Sequence, residues 1–140
     1  MAIRQLSIFL ENRVGRLAEI TRILGQAGVD ILAISVADTT DFGILRLLVD
    51  DVDKAVESLK SQGVVCSVNT VTVVSVDGVP GGLAKVLGTL DEAGINVEYM
   101  YTVSQKKSTD PLMVFRFAGE ETALAALRKA GLKVLDATEL

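Results

Sequence analysis

The sequence predicts an α+β fold: two ferredoxin-like βαββαβ units in tandem, residues 1–69 and 70–140, each an antiparallel sheet with its helices on one face. Three observations lead there. The chain repeats itself: Gly15, Leu17, Ala18, Leu24, Ala27 and Gly28 recur 66 positions later as Gly81, Leu83, Ala84, Leu90, Ala93 and Gly94. Such self-similarity defines the structural unit before any fold is considered. Within each copy the hydrophobic period switches between two and 3.6 in the order strand, helix, strand, strand, helix, strand. Only Asn69-Thr70 separates the copies, with no proline or glycine, so the junction is rigid and one long strand shared by two sheets is expected.

The elements follow in order. Ile3–Leu10 alternates, with Leu6, Ile8 and Leu10 on one side and Gln5 and Ser7 on the other, as a strand does. Asn12–Gly15 is a turn. Leu17, Ile20, Ile23, Leu24 and Ala27 form the apolar stripe of a helix, leaving Arg16, Glu19, Arg22 and Gln26 outside, and Gly28 suits its C′ position. Ile31–Ala37 and Gly43–Val49 are strands around the polar turn Asp38–Asp41. Asp50-Asp51 opens a second helix with the stripe Val52, Val56 and Leu59, since carboxylates suit a helix N-terminus. Gly63 ends it and Val64–Val68 is the fourth strand. The second copy gives Val71–Val76, Leu83–Ala93, Ile95–Val103, Leu112–Phe117, Glu121–Ala130 and Leu132–Leu135. The polar loop Gln105–Pro111 is the expected mobile segment. Short right-handed crossovers put both helices of a unit on one sheet face. The other face stays open. Strands apolar on both sides, Ile31–Ala37 and Ile44–Val49, imply that something covers it or that they lie centrally.

Composition narrows the function. The net charge is −4, which offers none of the basic footprint of a nucleic-acid binder. There is no histidine, so a His-based triad or His-ligated metal cannot form within one chain, and one cysteine excludes an internal disulfide or thiolate cluster. No cofactor or metal is expected. Apolar runs are strand-sized and no leader pattern opens the chain, so a cytoplasmic protein is expected. A 66-residue unit buries little surface alone, and the hydrophobic fraction of 49% calls for a partner surface, so a homo-oligomer, a dimer in the simplest case, is expected.

Several motifs carry nothing. Asp41-Phe42-Gly43 spells a kinase tripeptide without the rest of a kinase. Gly78-Val79-Pro80-Gly81-Gly82 lacks the Lys-Ser/Thr of a phosphate loop. Cys66 reads as a small semi-buried strand residue, and Arg46 and Arg116, equivalent in the two third strands, as solvated or ion-paired residues, the alternative being a contact across the helix-free face or to an anion. The turn before the first helix of each unit offers more. Pro80 fits a first helical position, which would make Val79 and, by repeat, Arg13 the N-caps. Neither caps well, leaving the first N–H groups for an anion favoured by the helix dipole. Gly15 and Gly81 permit close approach. Glu11, Asn12, Asp38 and Asp77 can take an ammonium nearby. A carboxylate site beside an ammonium site suits an α-amino acid; the alternative is that the glycines serve the turn alone.

The pattern resembles the ACT domain, a small regulatory module of enzymes of amino-acid metabolism. The resemblance rests on acidic-x-x-Pro-Gly-x-Leu-Ala at Asp77–Ala84 and Ala-Gly-Ile-Asn-Val at Ala93–Val97, with first-copy versions at Glu11–Ala18 and Ala27–Ile31. Asp41–Arg46 and Glu98–Tyr101 resemble the stand-alone tandem members. The resemblance implies a regulatory protein that binds an amino-acid effector where ACT domains pair. The implied ligand positions are Asn12, Arg13, Gly15, Asp30 and Asp38, and Asp77, Gly81 and Asn96. Val14 replaces the family proline and Asp30 the asparagine that Asn96 keeps, so the copies are expected to bind unequally, or only one of them to bind.

The leading expectation is a non-catalytic sensor of a small amino acid that acts on an enzyme of amino-acid metabolism. An acylphosphatase-like enzyme would use a first-loop arginine, as Arg13 offers, but its glycine-flanked loop is missing. An RNA-binding module needs exposed aromatics on the first and third strands, where Phe9 and Phe42 alone qualify in the first copy. An assembly protein without a ligand is the further alternative.

Overall fold

The computed structural model describes residues 2–11, 13–38, 42–104 and 110–140. Its elements run β1 (Ile3–Glu11), α1 (Arg16–Gln26), β2 (Ile31–Asp38), β3 (Phe42–Val49), α2 (Val52–Ser61), β4 (Cys66–Ser75), α3 (Gly82–Glu92), β5 (Val97–Thr102), β6 (Leu112–Phe117) and α4 (Glu120–Lys129), with a 3-10 turn at Ala137–Glu139. The chain divides into two compact units: Arg4–Asn69, and Thr70–Leu140 together with Met1–Ile3. We call them the first and second unit. β4 runs unbroken through the boundary, as the two-residue junction led us to expect.

In the first unit the strands lie in the order β2-β3-β1-β4, all neighbours of known register antiparallel. β1 and β3 pair Leu6 with Leu47 and Ile8 with Leu45, and these side chains face α1 and α2. Ile20 and Leu24 of α1 and Ala55 and Leu59 of α2 complete the core, each at 0% exposure. α2 starts as its sequence asks: Asp51 is the N-cap and its carboxylate accepts the N–H of Lys54 at 3.1 Å. On the opposite sheet face Gln5, Ala33 and Leu48 are buried, whereas Phe9 and Phe42, 5.3 Å apart, stay exposed. Gln5 spends its amide on Ser7 and Asn69, both at 3.3 Å, so this buried polar group is satisfied.

The second unit repeats the arrangement in the order β4-β6-β5, around Val74, Val86, Leu90, Phe115, Phe117 and Leu127. The expected last strand, Leu132–Leu135, is only partly regular. Val134 bridges Val74, and the backbone bonds Ser75 N–H to Lys133 and Leu135 N–H to Val73 hold it along β4. On the helix-free face Val71, Val73, Val114 and Tyr101 are buried. The turn residues Thr39–Asp41, and Gln105–Thr109 of the loop expected to be mobile, lie outside the described residues.

Candidate functional site

The structure corrects the expected start of α1 and α3. The N-caps are Gly15 and Gly81, not Arg13 and Val79, and Pro80 lies in the preceding turn. The reason is backbone handedness: both glycines have φ 87°, in the left-handed region that costs other residues about 1 kcal/mol or more. A glycine has no side chain to accept a helix N–H, so both helix starts are uncapped by side chains. Below the first unit's cap, the N–H of Glu19 returns to the carbonyl of Gly15 at 2.9 Å. Among the described residues the N–H groups of Leu17 and Ala18 have no such partner. α4 also begins at a positive-φ glycine, Gly119, but fills its first turn with Glu120 and Glu121.

At the start of α1 lies a cleft of about 280 Å³ lined by Leu10, Glu11, Arg13, Gly15, Arg16, Leu17, Ala18, Val36 and Gly43. Its charged wall is a chain of ion pairs. Arg13 reaches Glu11 at 3.6 Å and Glu19 at 3.3 Å, and Arg16 reaches Glu19 at 3.3 Å. The hydrogen bond from Arg16, with its charge and the contacts from Arg13, holds the Glu19 carboxyl below the usual carboxylate range. Arg16 keeps only 16% of its side chain exposed, and its Nε is buried without a hydrogen-bond partner among the described residues. A buried guanidinium N–H left unpaired is costly. Leu10 and Val36 make the apolar wall; Val36 and Leu17 remain about half exposed, at 47% and 42%.

Of the residues expected in the site, Arg13 and Gly15 line this cleft together. Asn12 lies outside the described residues. Asp38 ends β2, where its backbone pairs with the cleft residue Gly43. Asp30 does not reach the cleft. It follows α1, whose 11 residues span about 16 Å, and its backbone is tied to Asp50 by bonds of 2.9 and 3.1 Å. Asn96 stands in the same way beyond α3, its carbonyl accepting the N–H of Ala118 at 3.1 Å. Gly81 caps α3, and Asp77 sets its own backbone carbonyl against Gly82. Sequence reasoning missed Arg16 and left Glu19 on the solvent side of the helix. The available signal was the repeat itself, in which Arg16 and Glu19 answer to Gly82 and Lys85.

The family model of the ACT domain pair matches residues 1–140. The chain belongs to the ACT domain pair family. Among solved structures it is similar to protein BT0572 from Bacteroides thetaiotaomicron, at 37% identity and a TM-score of 0.91 over 99% of this chain and 95% of that one. The regulatory subunits of aspartate kinase from Thermus flavus and Thermus thermophilus, at 21% and 18% identity and a TM-score of 0.64 each, share the fold over 94% and 92% of this chain and the same shares of theirs. No curated protein matches. A tandem pair of ACT units is therefore established for this chain.

Two other candidates close as structural. Cys66 is half-buried, and burial pushes its thiol up, away from a reactive thiolate. Arg116 is ion-paired, at 3.6 Å to Glu98 and 3.7 Å to Glu120, and donates to the Thr70 carbonyl at 2.7 Å. Among the described residues no helix is long and apolar enough to cross a membrane, and no cluster of three metal-ligating side chains occurs.

Proposed function

We propose that this ACT domain pair is a non-catalytic sensor that binds a small amino acid at the start of α1 and thereby changes the activity of an enzyme of amino-acid metabolism. The observation that carries the reading is the cleft at a helix start uncapped by side chains, lined by Arg13 and by Arg16, whose Nε is buried and unpaired among the described residues. The ligand carboxylate takes the N–H groups of Leu17 and Ala18 and this Nε. Glu11 is the acceptor for the ammonium, and Leu10, Leu17 and Val36 receive an apolar side chain. A second copy of the chain closes the open side: β2 is the edge strand of its unit, with Ile34 and Val36 exposed on it.

A thermal-shift screen with each of the twenty amino acids tests this. A ligand at about 100 times its Kd adds about 2.7 kcal/mol to the folded state. A response to one amino acid or a few of similar shape supports the sensor. A folded protein that responds to none of them leaves the assembly role as the better reading. The dimer is tested separately by light scattering, where a particle of 14.9 kDa would contradict it.

A further inference from the structure

The two helix starts share one backbone geometry and differ in what stands beside it. Gly15 and Gly81 have the same φ, 87°, with ψ −7° and −4°. The next residue is Arg16 in the first unit and Gly82 in the second. At Gly82 the backbone of Asp77 comes so close that a Cβ there would overlap its carbonyl oxygen, with the carbonyl carbon at 3.0 Å and the Asp77 Cβ at 3.3 Å. Glycine is the residue that allows this approach. The carbonyl oxygen is partly negative, and it stands beside the first turn of α3. An incoming carboxylate would meet both its bulk and its charge. In the first unit residue 16 carries a long side chain instead, and the carbonyl of Glu11, the counterpart of Asp77, accepts the N–H of Arg13 at 2.9 Å. The cleft of about 280 Å³ opens there. The second unit also lacks the charged wall, because Arg13, Arg16 and Glu19 are replaced by Val79, Gly82 and Lys85.

We infer that each chain holds one amino-acid ligand, at the start of α1, and that the equivalent place at α3 is closed by the chain's own Asp77 carbonyl. The inference rests on the amino-acid-binding reading above. It makes the second unit a structural copy whose helix start contributes no binding energy.

The test uses the full chain and a pool of the twenty amino acids, then the amino acid from that pool which shifts the melting temperature. Gly15→Asp and Gly81→Asp are a matched pair: the two positions share one φ, and a Cβ at either meets nothing within 4 Å. Backbone strain is therefore alike, and only the new carboxylate's position differs. Gly15→Asp is expected to lose at least about tenfold in affinity, equal to about 1.4 kcal/mol. Gly81→Asp is expected to bind as the unaltered protein does, and Gly15→Asn, uncharged and of similar size, to lose less than Gly15→Asp. Calorimetric titration of the unaltered chain, which depends on no variant's folding, should give one site per chain. Two sites per chain, or loss of binding in Gly81→Asp, would overturn the single-site inference and leave the amino-acid reading standing. An unaltered chain that responds to no member of the pool overturns that reading, and this inference with it.

Discussion

The starts of α1 and α3 share one sequence pattern and differ in what surrounds them. Both are capped by a left-handed glycine and leave the helix without a side-chain cap. Around α1 the space is held by Arg13, Arg16, Glu11 and Glu19, and a cleft remains. Around α3 backbone packs on backbone, with Asp77 against Gly82. The lesson is that an uncapped helix N-terminus does not make a binding site. The neighbouring residue decides whether that partial positive charge faces a cleft or a carbonyl of the same chain.

The largest effects should fall where the copies are alike. Leu24 and Leu90 are repeat partners, buried at 0% and 1% in equivalent cores. Leu24→Ala and Leu90→Ala should each cost about 2–5 kcal/mol, measured by urea unfolding. Costs of similar size would mean that the two cores remained equivalent while the helix starts diverged. A negligible loss at one of them would break the comparison, because that unit would not be packed as described.

Smaller effects should appear where the copies differ. Gly82→Ala must displace the Asp77 backbone and should destabilise by about 1–3 kcal/mol. Arg16→Ala removes one partly exposed ion pair and should cost about 1 kcal/mol or less. Equal costs from the two changes, read in the same unfolding experiment, would mean that the Asp77 carbonyl does not press on Gly82.

The electrostatic difference is the smallest and has a definite sign. Because the hydrogen bond from Arg16 lowers the Glu19 pKa in the folded chain, the carboxylate's contribution to stability is present above the unfolded pKa. It is lost as the pH falls through the folded one. An NMR titration should find Glu19 below the ordinary glutamate value, and Arg16→Gln should raise it. A Glu19 that titrates alike in both proteins would remove the charged wall from the account.

Much of the fold was legible because period and punctuation agree. Leu112–Phe117 has the expected bounds, Asp50-Asp51 opens α2 with Asp51 as its cap, and Gly28, Gly63 and Gly94 follow helix ends with positive φ. The site was legible in part. The turn after the first strand drew notice through its repeat, and Glu11, Arg13 and Gly15 of it border the cleft. Its cap was misplaced because a proline at a first helical position and a proline two residues before it look alike in sequence. Only the sign of φ at Gly81 separates them. Arg16 was missed because helical periodicity says which face a residue starts from, not where a long side chain ends. Asp30 and Asn96 entered through family resemblance, and the length of α1 and α3 carries them to the far end of each helix.

The most direct measurement follows the backbone N–H groups themselves. In an NMR titration with the amino acid that stabilises the chain most, the amide signals of Leu17 and Ala18 should shift strongly with ligand. Those of Leu83 and Ala84, their repeat partners, should stay where they are. Equal movement of both pairs, or movement of Leu83 and Ala84 alone, would contradict the claim that the first unit holds the ligand and the second is closed by its own chain.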